Sequence, residues 1–282
     1  MFMLNGQLLS GNSLGGHSVT QRSTLNFGGQ IVPKFLVFHY TACSALDAST
    51  AFMRAAGDRS VSAHLLVDVD GSVTQFVPFD RRAWHAGISS WDGYQDLNTH
   101  SIGIEVVNLG YLTRTALGVF KASDGATVVL PDNVVEARHK LSHFPWLYWE
   151  AYTPAQIATC EALAEVLCSG FNLKDVLGHD DIAPTRKSDP GPAFPLSRIR
   201  SHAVGRGGTP LPDEQAAYVI VDKLNIRQGA GAQFSKVAEP LARNTRLKIV
   251  NRPDGEWMEV VTDLPTPVRG WVWVAYTGSG VT

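Results

Sequence analysis

Cysteine is scarce: Cys43, Cys160 and Cys168 are the three in 282 residues. Three thiols cannot all pair, and none stands in a C-x-x-C spacing, which argues against a disulfide scaffold and leaves buried thiols as the expectation. An excess of positive charge is missing too. With 24 Lys and Arg against 26 Asp and Glu, a formal net charge of -2, the chain lacks the basic surplus by which nucleic-acid binders neutralise phosphates. No apolar run reaches the ~20 residues that a membrane-spanning helix needs. The opening MFMLNGQLLSGNSLGGHS has a four-residue apolar start and no Lys or Arg before Arg22. Both parts of a secretory signal are therefore lacking, so synthesis in the cytoplasm without a signal peptide is expected, and any export needs another route.

What is present is an ordinary globular composition in a chain longer than one typical domain, which predicts one large or two unequal domains. Residues 1–30 are rich in Gly, Ser and Asn without a sustained period and read as an N-terminal arm. KFLVFHYTA, apolar on both faces, predicts a covered strand ending at His39. SALDASTAFMRAAGD predicts a helix capped by Ser44, with Asp47 in its first turn. SAHLLVDVDGSVTQFV is two apolar runs joined by Asp70-Gly71, a hairpin signal. HSIGIEVVN alternates, with Ile102, Ile104 and Val106 on one face and Ser101, Gly103 and Glu105 on the other.

The stretch from Leu112 to Tyr152 is less regular, but its FPWLYWEAY holds more aromatics than a solvated loop needs, to cover the core or line a groove. YTPAQIATCEALAEVLCSG is a helix with Thr153 as cap, Pro154 opening it, Gln156 completing a capping box and Gly170 ending it. LKDVLGH is a short buried strand. Together these predict an α/β fold, a mixed central sheet flanked by helices, over residues 31–200. Residues 201–215 are rich in Gly and Pro and read as a linker. Residues 216–282 are short runs punctuated by Gly, Pro and Asn turns, which predicts a small all-β barrel.

The densest chemistry lies in LGHDDIAPTRKSDPG, Leu177 to Gly191. Asp, Pro and Gly are ordinary turn residues, so a solvated surface loop is one reading. His39 at a strand end, with His179 and Asp189 bracketing this loop, is another: nitrogen and oxygen ligands suit zinc, and a catalytic zinc takes three protein ligands and keeps one position open. The spacing is not the helical H-E-x-x-H, and lone histidines are often satisfied in cores, so the local pattern leaves both readings standing.

Four blocks, VFHYTA, RAWHAGISSWDG, LNTHSIGIEVVN and LGHDDIAPTRKSDPGPAF, stand in the order seen in zinc-dependent N-acetylmuramoyl-L-alanine amidases. Over roughly residues 30 to 200 the chain resembles that family, whose fold is shared with peptidoglycan recognition proteins and a phage lysozyme-amidase. The resemblance implies that His39, His179 and Asp189 bind Zn2+, that Glu105 is the catalytic general base, and that Lys187 steadies the oxyanion. It implies hydrolysis of the amide between N-acetylmuramate and L-alanine in peptidoglycan or muropeptides. Trp84 and His85 are expected to line the substrate groove, although by pattern His64 and His85 are structural rather than ligands. Glutamate is depleted in strands and costly in an apolar one unless partnered, which singles out Glu105 without the resemblance.

Asp180 and Asp181 are expected to be solvated loop carboxylates, and His17, His100, His139, His143 and His202 carry no signal. The segment LNIRQGAGAQFSKVAEPLARNTRLKIV with WMEVV and GWVWVAY resembles a bacterial SH3-like domain, which implies cell-wall binding. Trp257, Trp271, Trp273 and Tyr276 are candidates for its aromatic groove. A wall-type module points to action at the cell wall or periplasm, as a lysin released by phage lysis or by secretion-system delivery. A non-catalytic peptidoglycan-binding protein on the same fold, and a zinc peptidase acting on the stem peptide, are the alternatives. Every candidate site residue precedes Pro190, so the C-terminal unit is expected to be dispensable for cleaving small soluble substrates.

Overall fold

The computed structural model describes residues 1–13, 15–54, 61–204, 216–251 and 256–278. Strands β1 (Phe2–Asn5) and β2 (Leu8–Gly11) form an antiparallel hairpin, and β3 (Thr20–Gln21) reaches the edge of the main sheet, so the first thirty residues are more regular than an irregular arm. Tertiary contacts supply that order. Phe2 and Leu9 sink into the main core, and Leu9 N–H donates to Gln75 Oε1 at 2.7 Å. Four-residue strands are too short for a period to show in the sequence.

Strand β4 (Phe35–Tyr40) is covered on both sides as expected: Leu36 and Phe38 enter the main core, while Phe35 and Val37 pack with Leu177 and Ile182 beneath the other face. Helix α1 (Ala45–Met53) starts under Ser44, whose Oγ accepts Asp47 N–H at 3.2 Å. Strands β5 (Leu65–Val67) and β6 (Val73–Gln75) are antiparallel around the Asp70-Gly71 turn, where Gly71 takes φ +79. After the small hairpin β7 (Ser90–Trp91) and β8 (Tyr94–Gln95) comes β9 (Ser101–Val106), whose Ile102, Ile104 and Val106 enter the main core.

The region from Leu112 to Tyr152 is a sheet in its own right. Strands β10 (Tyr111–Arg114), β11 (Phe120–Lys121), β12 (Val128–Val129), β13 (Val134–Glu136) and β14 (Tyr148–Glu150) pair antiparallel in the order β12-β11-β10-β14-β13. Helix α2 (Pro154–Phe171) carries the predicted capping box and buries Ile157, Cys160, Leu163, Ala164, Leu167 and Cys168. Gly170 does not end it. The helix runs to Phe171 and stops at Asn172 in the left-handed region, φ 50. A β-carbon at Gly170 would meet the tip of the Leu4 side chain from the N-terminal hairpin.

Strand β15 (Asp175–Gly178) leads directly into the one-turn helix α3 (His179–Ile182), and α4 (Leu196–Ala203) follows. The main sheet has the order β15-β4-β9-β5-β6-β3, with β15, β4, β9 and β5 parallel. The expected linker begins inside α4, which still holds residues 201–203; residues 205–215 lie outside the described residues. No described helix is long and apolar enough to cross a membrane.

Beyond it the chain is antiparallel β, as the turn spacing predicts. Strands β16 (Ala216–Val219), β17 (Lys223–Leu224), β18 (Leu241–Ala242), β19 (Arg246–Asn251), β20 (Trp257–Thr262), β21 (Arg269–Trp273) and β22 (Thr277–Gly278) include a five-stranded sheet of order β21-β20-β19-β16-β22. This unit is docked. Val219, Val221 and Leu224 share one apolar cluster with Val135 and Ala137, Lys223 pairs with Glu136 at 2.8 Å, and Arg138 N–H donates to Asp222 at 2.7 Å.

Candidate metal centre and catalytic groove

The carboxyl ends of adjacent parallel strands gather the chemistry, where open α/β sheets usually bind ligands. His39 on β4 stands in register beside Glu105 on β9, and His179 follows directly on β15. Alternation along β9 puts Glu105 on the same face as Gly103, and that glycine is required: a β-carbon at 103 would collide with the His85 ring. His85 therefore lies against β9 beside the centre.

His39, His179 and Asp189 converge although up to 150 residues separate them. His39 Nδ1 lies 2.8 Å from His179 Nδ1 and 3.0 Å from Asp189 Oδ2, and His179 Nδ1 lies 2.9 Å from the same oxygen. All three are buried and form the His/Asp cluster with metal-binding spacing among the described residues. The outer nitrogens fix the tautomers, as assigned from hydrogen bonds. His179 Nε2–H donates to Ala86 O at 2.9 Å, leaving Nδ1 as a lone pair. His39 Nε2–H points to His85 Nδ1 at 2.9 Å, and His85 Nε2–H to Ser101 Oγ at 3.4 Å.

Two imidazole lone pairs facing each other repel unless a cation lies between them. Burial, then the neighbouring His179, lowers the His39 pKa to about 4, so His39 itself is neutral at pH 7. Burial pushes the Asp189 carboxyl up, but His179 and His39 outweigh it and hold it below the usual carboxylate range. Two neutral imidazoles and a carboxylate are the donor set that a divalent metal of zinc type takes. Tetrahedral ligands at zinc distances lie about 3.3 Å apart, so the triangle needs to open by only a few tenths of an ångström.

Glu105 is the second electrostatic anomaly. Its Oε2 is buried without a hydrogen-bond partner, and burial, then repulsion from Asp189, raises its pKa well above the ordinary value against the opposing pull of Lys187. Glu105, Lys187 and the candidate ligands His179 and Asp189 line one cavity of about 410 Å3, together with Trp84, His85, Tyr40, Tyr111, Phe144, Trp146 and Arg186, while His39 is buried against His179, Asp189 and His85. The residues singled out from the sequence as metal ligands, as catalytic and as lining the substrate groove thus line this cavity or, for His39, touch residues that do. His64 is structural as expected: it is buried, it donates to Arg81 O, and it accepts Gly103 N–H.

Asp180 and Asp181 are not solvated. Asp180 is 4% exposed, 3.1 Å from His139 Nε2 and 2.9 Å from Lys140 Nζ. Asp181 accepts Gly178 N–H at 2.8 Å, capping α3, and pairs with Lys140 at 2.6 Å. Their partners come from the inserted sheet, which loop composition cannot reveal. His139 was unreadable for the same reason. Arg186, also missed, donates to Ala86 O and Ile88 O at 2.9 and 2.8 Å, tying the ligand loop to the 85–88 segment. Its position next to Lys187 in a basic pair was the signal available. In the C-terminal unit Trp257 stands opposite Trp273, and Tyr276 meets the Trp273 ring at 4.6 Å, whereas Trp273 itself is buried and belongs to the core.

A family described as N-acetylmuramoyl-L-alanine amidase matches residues 29–192, more than half of the chain, and the chain belongs to that family. Among curated relatives, the N-acetylmuramoyl-L-alanine amidase AmiD of Escherichia coli K12 is 35% identical over 181 residues, covering 61% of this chain and 54% of AmiD. The 1,6-anhydro-N-acetylmuramyl-L-alanine amidase AmpD of the same strain is 37% identical over 142 residues, 50% of this chain and 57% of AmpD. The chain spans about half the length of these curated relatives. A solved complex of E. coli AmiD with anhydro-N-acetylmuramic acid-L-Ala-D-gamma-Glu-L-Lys aligns at 33% identity and TM-score 0.45, covering 66% of this chain and 62% of that one.

Proposed function

We propose that the chain is a zinc-dependent amidohydrolase that cleaves the amide between the lactyl group of N-acetylmuramate and L-alanine in peptidoglycan or muropeptides. The observation carrying this reading is the buried triangle of His39, His179 and Asp189 beside the unpartnered Glu105 Oε2. A carboxylate buried without a partner is costly, and a purely binding role for this groove gives no return for that cost. His39, His179 and Asp189 would hold the zinc, which when bound acidifies water and polarises a carbonyl.

Glu105 takes the proton of the attacking water and passes it to the leaving amine; its raised pKa brings it nearer the operating pH, as a general base requires. Lys187 compensates the negative charge that develops on the carbonyl oxygen, a preorganised charge that needs no reorientation during reaction. Trp84 and His85 border the groove as substrate-lining residues, and His85 also holds His39 in its ligating tautomer. The C-terminal strands, residues 216–282, are read as an SH3-like wall-binding unit. Action at the cell wall or periplasm, as a lysin or a delivered enzyme, follows from that reading.

Mass spectrometry of muropeptides and sacculi after digestion, with and without a chelator, tests the proposal. Free stem peptide and peptide-less muramoyl glycan, lost on chelation and restored by zinc, are expected together with one zinc per chain by metal analysis. Products that keep L-alanine on the sugar would mean peptidase action, and no products from a zinc-loaded protein would mean a binding protein.

A further inference from the structure

The inserted sheet brings an aromatic wall into the groove that the metal centre does not use. Tyr111 and Trp146 stack with centroids 3.9 Å apart and planes within 10°, and Phe144 lies 5.2 Å from Trp146 at 15°. All three line the catalytic cavity, and all three are only partly buried. The stack is anchored from behind. Trp149 is fully buried, meets Trp146 edge-on at 6.3 Å, and donates its indole N–H to Ala137 O at 3.0 Å. Across β10 and β14, Tyr111 pairs directly with Trp149. The facing surfaces of the three near-parallel rings cover each other, and the outer face and edges of the stack stay partly exposed in the cavity.

We infer that Tyr111, Phe144 and Trp146 form a subsite for the pyranose ring on the muramoyl side of the scissile amide, an inference that rests on the amidase reading and names which part of the substrate the insert receives. The two ends of the groove differ in charge. At the insert end Tyr40, Tyr111, Phe144 and Trp146 are uncharged, and Tyr40 donates to or accepts from Ser188 Oγ at 3.0 Å. At the other end, beside Trp84 and His85, the Arg186 guanidinium bonds to two backbone carbonyls and has no carboxylate partner among the described residues. A stem peptide carries carboxylates and fits the Arg186 end. A pyranose is neutral, and the C–H groups on its face, made slightly positive by the neighbouring oxygens, fit the negative face of an aromatic ring. The bond to be cut lies between the two, at Glu105 and the metal ligands.

The test compares two substrates sharing one stem peptide and one scissile amide: an N-acetylmuramoyl peptide and a lactoyl peptide lacking the sugar. The full-length protein is expected to favour the sugar-bearing substrate in kcat/KM, and Trp146→Ala and Tyr111→Ala are each expected to lower that preference about tenfold, through KM. The ratio cancels any change in folded fraction. An unchanged ratio in both variants overturns the subsite. A binding arm reads it without the reaction: N-acetylmuramic acid titrated by saturation-transfer NMR should bind the parent more tightly than Trp146→Ala. Equal binding, or none by the parent, overturns the inference. Failure of the amidase reading shows differently, as a parent that binds the sugar in a Trp146-dependent way yet cleaves neither substrate.

Discussion

His139 Nε2 lies 3.1 Å from Asp180 Oδ2 and 3.1 Å from the Ser188 carbonyl, so one imidazole of the inserted sheet touches both sides of the loop that carries His179 and Asp189. Lys140 adds contacts to Asp180 and Asp181, and two residues earlier Arg138 N–H meets Asp222 of the C-terminal unit. Residues 136–140 thus contact the C-terminal unit and the ligand loop within one short segment.

Removing the Asp180 carboxylate leaves His139 with the Ser188 carbonyl and Lys140 with Asp181, and takes away the buried acceptor that the two share. Asp180→Ala is expected to destabilise the protein by about 2–4 kcal/mol, measured by denaturant unfolding of the metal-free and metal-loaded protein. A loss under about 0.5 kcal/mol, the range of neutral surface changes, would show that the contact is incidental.

Glu105→Gln keeps the shape of the side chain but cannot take a proton. Turnover is expected to fall about 100- to 10,000-fold while metal content stays at one per chain. A variant within threefold of the parent, at about 0.6 kcal/mol in barrier, would make Glu105 a structural residue.

His64 predicts an acid sensitivity independent of the metal. Burial lowers its folded pKa to about 4, below the unfolded value, so the unfolded chain binds the proton first. The neutral form stabilises the fold above pH 6.5, and that contribution, about 3 kcal/mol, is lost as pH falls from 6.5 to 4. Denaturant midpoints at pH 7 and 4.5 should therefore converge in His64→Gln relative to the parent. Parallel losses in the two proteins would remove His64 from the account.

Docking of the C-terminal unit alters what truncation should do. A chain ending at Val204 retains every proposed site residue but leaves Glu136 without Lys223 and Arg138 N–H without Asp222. Its Tm is expected to drop by about 5 °C or more, and muropeptide cleavage to slow with it, in contrast to the dispensability that chain order suggests. Unchanged Tm and rate would mean that the docked surface contributes nothing to the catalytic domain.

Much of the architecture was legible in one dimension, wherever the physics is local. The Ser44 and Thr153 caps, the Asp70-Gly71 turn and the alternation of β9 depend on neighbours within a few residues, and the structure reproduces them. The helix runs past Gly170 and takes its left-handed stop at Asn172, a residue type that adopts that conformation more readily than most, so the glycine was the wrong one of two available stops. Asp180 reads as a solvated turn residue until β13 and β14 deliver His139 and Lys140 to it. The sequence by itself determined which side chains could hold a metal and move a proton, since ligand chemistry belongs to the residue type. Only the tertiary structure decided that His39, His179 and Asp189 meet within 3.0 Å and that an inserted sheet walls the groove with three aromatic rings, because parallel-strand register and long-range packing carry no periodic trace along the chain.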